Sequence, residues 1–585
     1  MRHALLTLLL LLLCGTARAQ DVVFQEFYWD TEAPAGQTWW THLQSQLPAL
    51  AAAGVGAVWV PPPYKGGAGK YDMGYGPYDL YDLGSKNQKG TVATRFGAKA
   101  QFLDFIAAAH RLGIKVYADV VINHAMGADY AEPNPVMARL GWTDIPDDSK
   151  VPPQDRSPDA KPGEKLRSWT GFASKGADGK MGTGRFPRTW RDFHPNEAEP
   201  DRSPPYHVKE FGEDYAFRDG HGDYARHQLI AWSRWFAAQT GVDGYRMDDV
   251  KGIEPDMTVD FIGQGPAGLW IVGEYLDGDP GKLMAYLRQA HDALHLFDYP
   301  LYFALHDMTF APERFDMRDL LKRRLPDRER AVTFVGNHDI SRDSSVIVYN
   351  FGLAQALILA MSGTPCVYYS DFWRAGAARR AEITRLVRAH NRLAIGPEIV
   401  READKTTLIL ERRGHLLAAF HSGGDGQTHT LTVDTAFGPH VRLRDFAGGG
   451  KPIETDARGR ATLTIAPYEY AYYAPVGAWR AMPLRARPLP TRQTWEFADD
   501  LDTGRLTSTP QGIPITLARG QSVSATLALD GDALGEIALL GPTGSVLATG
   551  ARIVTLVAAP QDGVYTVRVR APGGGPAHGV LTVVQ

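Results

Sequence analysis

Cysteine is nearly absent: the 585 residues hold two, Cys14 and Cys366. One of them falls in an N-terminal leader, so no internal disulfide framework is expected. Stability must then come from core packing and from any bound ion. An excess of one charge is also missing. Lys and Arg number 62 against 66 Asp and Glu, a net charge of −4, whereas a nucleic-acid binder normally carries a basic excess or patch. No apolar run reaches the roughly 18 residues of a membrane span. Nor is the chain short of core material. With 44% hydrophobic and 22% charged residues, it has the balance of a folded soluble protein and not of a disordered one.

Arg2 and His3 precede an apolar run from Ala4 to Leu13, and Ala17-Arg18-Ala19 has the small-x-small form of a cleavage site. Residues 1–19 are therefore expected to be a secretory signal peptide, with a mature chain that is extracellular or periplasmic. A lipid anchor on Cys14 is the weaker alternative, because the bulky Leu13 precedes it.

Beyond the leader, short Val-, Ile- and aromatic-rich runs alternate with amphipathic segments. The runs at 22–28, 57–60, 116–122, 244–247, 270–272, 294–297, 332–335 and 367–369 read as strands. Eight strand–helix units are what a parallel (β/α)8 barrel requires. This α/β fold is expected over 20–124 and 227–393. The intervening 125–226 is too long for a structureless loop and reads as an inserted subdomain after strand 3. After about residue 394 the pattern turns to short strands with turns between them. An antiparallel β-sandwich is expected over 394–478, a Pro/Arg-rich linker over 479–492 and a further small β-domain over 493–585.

Functional residues of such a barrel lie where its strands end. Strand 3 ends Asp119-Val-Val-Ile-Asn123-His124, strand 4 Arg246-Met247-Asp248-Asp249, strand 5 Gly273-Glu274 and strand 7 Asn337-His338-Asp339. A single acidic terminus is ordinary helix capping. Three of them converging with two His and one Arg repel one another unless chemistry uses them. Paired carboxyls suit glycoside hydrolysis, in which one group donates a proton and another attacks the anomeric carbon. Arg246 is expected to keep Asp248 ionised, and neighbouring carboxylates to raise the pKa of Glu274.

The segments 119–124, 244–251, 273–274 and 334–339 resemble, in order and spacing, the four signature regions of the alpha-amylase family (glycoside hydrolase family 13). Pro61-Pro-Pro-Tyr-Lys65 and Gly74-Tyr-Gly-Pro-Tyr-Asp-Leu-Tyr-Asp-Leu83 resemble its bacterial liquefying members. The resemblance covers roughly 22–475. It implies Asp248 as nucleophile, Glu274 as general acid then base, and Asp339 as the acid that binds sugar hydroxyls. It implies further that Tyr64, His124, Arg246 and His338 line the subsite of the reacting glucose, Tyr64 by stacking, and that Lys251 lies on the leaving-group side. A calcium ion is implied, held by Asn123, by the Gly252 carbonyl and by an Asp of the insertion, Asp214 or its competitor Asp219. The implied partner is an α-glucan, cut within the chain with retention, by a monomer that engages neither membrane nor nucleic acid. A maltooligosaccharide-forming or transglycosylating relative shares the same residues, and a non-catalytic binding relative is disfavoured by the presence of all three acids.

Three positions depart from the family pattern: Gly336 where an Asp is frequent, Asp249 where a small or apolar residue is frequent, and Gly252 where the liquefying enzymes carry His. Trp39-Trp40 reads as core packing, Asp499–Gly504 as a turn and Cys366 as a buried apolar residue, while Trp190–His194 is expected either to line the cleft or to hold the insertion together.

Overall fold

The computed structural model describes residues 19–136, 167–173, 182–200, 213–342, 345–447, 449–478, 492–496 and most of 511–584. The expected leader except its last residue, the linker except its last residue and the acidic turn 499–504 lie outside the described residues, as does much of the insertion.

Eight parallel strands close into a barrel: β1 Val23–Gln25, β2 Ala57–Val60, β3 Lys115–Val120, β4 Gly244–Met247, β5 Trp270–Gly273, β6 His295–Phe297, β7 Ala331–Phe334 and β8 Thr364–Tyr368. Each pairs with its sequence neighbours, and β8 closes on β1 with Val23 opposite Cys366. Such strands are buried on both faces, which is why they read as unbroken apolar runs; every residue of β2 and β7 is buried. Helices follow the strands: α1 Trp39–Ala53, α2 Lys99–Arg111, α3 Tyr224–Thr240, α4 Pro255–Gly263, α5 Pro280–Gln289, α6 Tyr299–Phe310, α7 Phe351–Ala360 and α8 Ala377–Leu393.

Local chemistry sets the helix ends. At α1, Thr38 and Thr41 form a reciprocal capping box, and Gly54 at φ 98° returns its N–H to Leu50 and Ala51. The apolar stripe Trp39, Trp40, Leu43, Leu47 and Leu50 then faces the barrel, so both tryptophans are core residues.

Between β3 and α3 the insertion adds an antiparallel hairpin, Tyr130–Pro133 with Arg167–Gly171, and a two-residue pairing of His124–Ala125 with Glu213–Asp214. Its anchor is Arg188, which is 1% exposed. The guanidinium donates to the Tyr215 hydroxyl and the Tyr78 carbonyl and lies 4.2 Å from the Phe172 ring centroid. Phe193 stacks on Tyr215 at 5.0 Å. Trp190–His194 thus belongs to the packing of the insertion.

After α8, six antiparallel strands from Glu398–Ala403 to Tyr470–Pro475 form one sheet, and His429–Asp434 pairs with Arg460–Ile465 beside it. Arg324 ties the barrel to this unit through Glu398 at 2.6 Å. Two four-stranded antiparallel sheets with their own core, including Ile515, Leu527, Tyr565 and Leu581, make the last unit. Cys366 is buried, and burial pushes its thiol up to about 12.

Glu26, just past β1, is fully enclosed, and neither carboxyl oxygen has a hydrogen-bond partner among the described residues. Burial alone raises its pKa well above the ordinary value of 4.5. The folded chain therefore keeps Glu26 protonated, and folding loses stability as pH rises above the unfolded value. Glu26→Gln should raise the thermal midpoint at pH 8 by several degrees and by less at pH 5. A midpoint lowered at pH 8 in a melting scan contradicts this.

Candidate active site

The register of the barrel brings the acids together before any side chain is considered. On β3 and β4, Asp119 lies opposite Arg246; on β4 and β5, Met247 lies opposite Gly273. Asp248 and Glu274 therefore leave neighbouring strands side by side, with the Glu274 N–H donating to the Met247 carbonyl at 2.9 Å. The residue before Glu274 has to be small: a Cβ on Gly273 would lie 2.9 Å from Val250 and 2.8 Å from Leu294 side chains.

Arg246 occupies the centre and is 1% exposed. Its Nη1 donates to Asp119 Oδ1 at 2.9 Å and to Asp248 Oδ1 at 2.5 Å, and its Nη2 donates to Glu274 Oε2. The second oxygen of Glu274 accepts from the Tyr299 hydroxyl at 2.7 Å, and Asn337 Nδ2 donates to that hydroxyl at 3.1 Å. The second oxygen of Asp119 accepts from Trp59 Nε1 at 3.0 Å and from the Tyr75 hydroxyl at 2.7 Å. One guanidinium thus faces three carboxyls, with Asp339 as a fourth nearby.

A single positive charge cannot balance four negative ones. Burial, opposed by Arg246 and reinforced by Asp248, pushes Asp119 up to about 7. Asp339 opens partly to the cleft, yet desolvation on its protein side and the charges of Glu274 and Asp248 push it up to about 8 against the pull of Arg246. The raised values fall on Asp119 and Asp339, and Glu274 carries the guanidinium and Tyr299 contacts. His338 is buried, and burial with Arg246 and Arg342 nearby lowers its pKa well below the ordinary value. The Gln25 amide donates to His338 Nδ1 at 2.9 Å, which leaves the proton on Nε2, 3.1 Å from Asp339 Oδ2.

Tyr64 departs from expectation. It is 1% exposed, packs edge-on against Trp232, and its hydroxyl accepts the Val121 N–H at 2.7 Å. A ring enclosed in this way offers no face to a ligand. Tyr75 is the more open ring, partly exposed and near-parallel to His338 at 5.2 Å and Trp29 at 5.7 Å. Tyr75 stands in the Gly74-Tyr-Gly motif, ten residues after the end of Pro61–Lys65. His124 is also buried, and its Nε2 donates to the Tyr75 carbonyl at 2.8 Å; it positions the Tyr75 loop from behind. Tyr299, at the start of α6, follows no motif that sequence reasoning could have used. Lys251 stands at the rim, donating to the Leu276 carbonyl at 3.3 Å. The space beside Gly336 is taken by another acid: a Cβ there would lie 3.3 Å from Asp371 Oδ2. Asp249 adopts a left-handed conformation, φ 37°, which Asp tolerates better than most residues.

The residues named for a cation gather at one place. Tyr215 N–H donates to the Asn123 carbonyl at 2.9 Å, His124 lies opposite Asp214, and a Cβ on Gly252 would fall 2.7 Å from Asn123 Oδ1. The donors are all oxygens, which suits a hard cation. Asp219 is differently occupied: its oxygens accept the N–H groups of His221, Asp223 and Tyr224 at 2.6, 2.8 and 3.0 Å.

The profile of the family described as "Alpha amylase, catalytic domain" matches residues 30–264. An alpha-amylase of Geobacillus stearothermophilus is 34% identical over 59% of the chain and 66% of its own length. An alpha-amylase of Bacillus licheniformis is 31% identical over 64% of the chain and 75% of its own length. Among solved structures, an alpha-amylase from Malbranchea cinnamomea superposes with a TM-score of 0.57 at 18% identity, covering 78% of this chain and 97% of that one.

The two tyrosines separate experimentally. Tyr75→Ala should lower kcat/KM on an oligosaccharide substrate by about two- to tenfold, the share of one stacked aromatic contact. Tyr64→Phe strands a buried N–H and should cost about 1–3 kcal/mol of stability while leaving KM unchanged. The reverse pattern, in steady-state kinetics and denaturant unfolding, contradicts the assignment.

Proposed function

Since the chain belongs to the alpha-amylase family, we propose that it is an endo-acting hydrolase of α-1,4-glucans such as starch and glycogen, working by double displacement with retention. The observation that carries this reading is the binding of Asp119, Asp248 and Glu274 to one buried guanidinium at the ends of β3, β4 and β5.

Glu274, once protonated, donates to the glycosidic oxygen as the bond to the anomeric carbon breaks. Asp248, held by the Arg246 guanidinium, attacks that carbon and forms a covalent glycosyl ester. Glu274, now a carboxylate, takes a proton from water, and the water oxygen attacks the same carbon and releases Asp248. Asp339 acts as a neutral acid that donates to sugar hydroxyls, so it does not add a third negative charge beside Asp248. Tyr75, backed by Trp29 and His338, gives the sugar an apolar face. Lys251 lies on the leaving-group side.

Asn123, Asp214 and the Gly252 carbonyl would hold calcium, and Asp219 is left to cap the turn before α3. The ion would supply charge that fastens the insertion to the barrel. The Arg2-to-Ala19 segment supports secretion, and no helix among the described residues is long and apolar enough to cross a membrane.

Glu274→Gln should lower turnover of amylose by roughly 100- to 10,000-fold while oligosaccharide binding persists; unchanged turnover rejects the mechanism. Early products of a spread of lengths support internal cleavage, and one dominant short product shows exo action instead. Asp339 is protonated below about pH 8, so kcat/KM should fall on the alkaline side as it ionises. Chelation should lower the thermal midpoint, and calcium should restore it.

A further inference from the structure

A second group of metal-ligating side chains converges where the insertion meets the loop after β4. His194 follows the short turn Trp190–Asp192 and donates its backbone N–H to the Asp214 carbonyl at 3.0 Å. Glu199 is folded back towards it by Asn196, whose Oδ1 accepts the N–H groups of Ala198 and Glu199 at 3.0 and 2.7 Å. Glu254 stands at the N-terminus of α4, six residues past Asp248. All three are more than nine-tenths buried: His194 is 4% exposed, and Glu199 and Glu254 are 8% each. One ligand atom from each lies within 4.8 Å of the others.

The distances suit a shared ion. Donors about 2.1 Å from a tetrahedral centre stand about 3.4 Å apart, and His194 Nε2 lies 3.4 Å from Glu199 Oε2. The charge balance favours it too. Two buried carboxylates repel, and burying each costs several kcal/mol unless compensated. The guanidinium beside them, Arg218, is half exposed, meets Glu199 through its other oxygen at 3.3 Å, and is shared with Asp256 at 2.7 Å. A divalent cation between the three would offset both carboxylates.

We propose that His194, Glu199 and Glu254 form a site for a divalent transition metal of the zinc class. It differs in chemistry from the oxygen-only set of Asn123, Asp214 and Gly252, because an imidazole nitrogen among carboxylates selects a borderline ion over calcium. The bound ion joins the insertion to the loop that carries Asp248 and Lys251, and so holds one wall of the cleft.

A rival cluster, His421, Asp425 and His429, does not fit in the same way. The Gly423 N–H donates to His421 Nδ1 at 2.9 Å. That leaves the His421 proton on Nε2, facing Asp425 at 3.5 Å, where a metal would need a lone pair. It serves as the control.

The test uses the full chain, stripped with a chelator, returned to excess calcium and titrated with zinc alone in a calorimeter. The expected result is one zinc per chain, weakened more than about tenfold in His194→Gln and in Glu254→Gln and unchanged in His429→Ala. Absence of zinc binding, equal binding in both cluster variants, or loss in His429→Ala overturns the proposal. Should the variants not fold, anomalous scattering at the zinc edge from wild-type crystals decides independently. A peak among the three side chains supports the site, and a peak elsewhere alone, or none, refutes it.

Discussion

One guanidinium, buried to 1% exposure at the open end of a parallel barrel, organises everything around it. Arg246 reaches Asp119 on one neighbouring strand and Glu274 beyond the other, with Asp248 on its own strand between them. Removing the guanidinium would leave buried carboxyls without their shared partner, a loss of about 3–5 kcal/mol. The cluster is therefore held in place by the same electrostatics that make it reactive. Burial decides the protonation pattern more than charge does: desolvation raises Asp119 and Asp339, and the guanidinium pulls both back down.

Around this centre the barrel supplies rigidity and the insertion supplies closure. Parallel register fixes which residues stand side by side, so the acids need no flexible loop to meet. The inserted segment is fastened from beneath by Arg188 among Phe172, Phe186 and Tyr215. It returns to β3 through the His124–Asp214 pairing. That return places an oxygen-rich corner beside Asn123 and a mixed nitrogen–oxygen corner beside Glu254, both close in sequence to Asp248. Loop positions that would otherwise drift are tied to strands that cannot.

The barrel was legible in the sequence because strands buried on both faces must be apolar throughout, and all eight runs stand where strands are found. The acidic strand ends were legible for the converse reason: charge at a buried rim is costly and so conspicuous. Side-chain exposure was not. Tyr64 and Tyr75 lie in adjoining motifs with similar surroundings in sequence, and only packing against Trp232 shows that the first is enclosed. Asp119 was visible as a letter in a motif, but its hydrogen bonds to Arg246, Tyr75 and Trp59 depend on register. Tyr299 reaches Glu274 from a helix start 25 residues on, a contact no local pattern announces. The raised pKa of Asp339 likewise depends on distances between four strand ends.

The central claim is that Asp248 is the nucleophile of a cluster assembled by Arg246. An activated fluorinated α-glucosyl donor, which forms its ester quickly and hydrolyses slowly, tests it most directly when followed by peptide mass spectrometry. The account predicts one sugar per chain, attached at Asp248 and absent from Asp248→Asn. A label on Glu274, Asp339 or any other side chain, or no covalent label while the donor is still turned over, contradicts it.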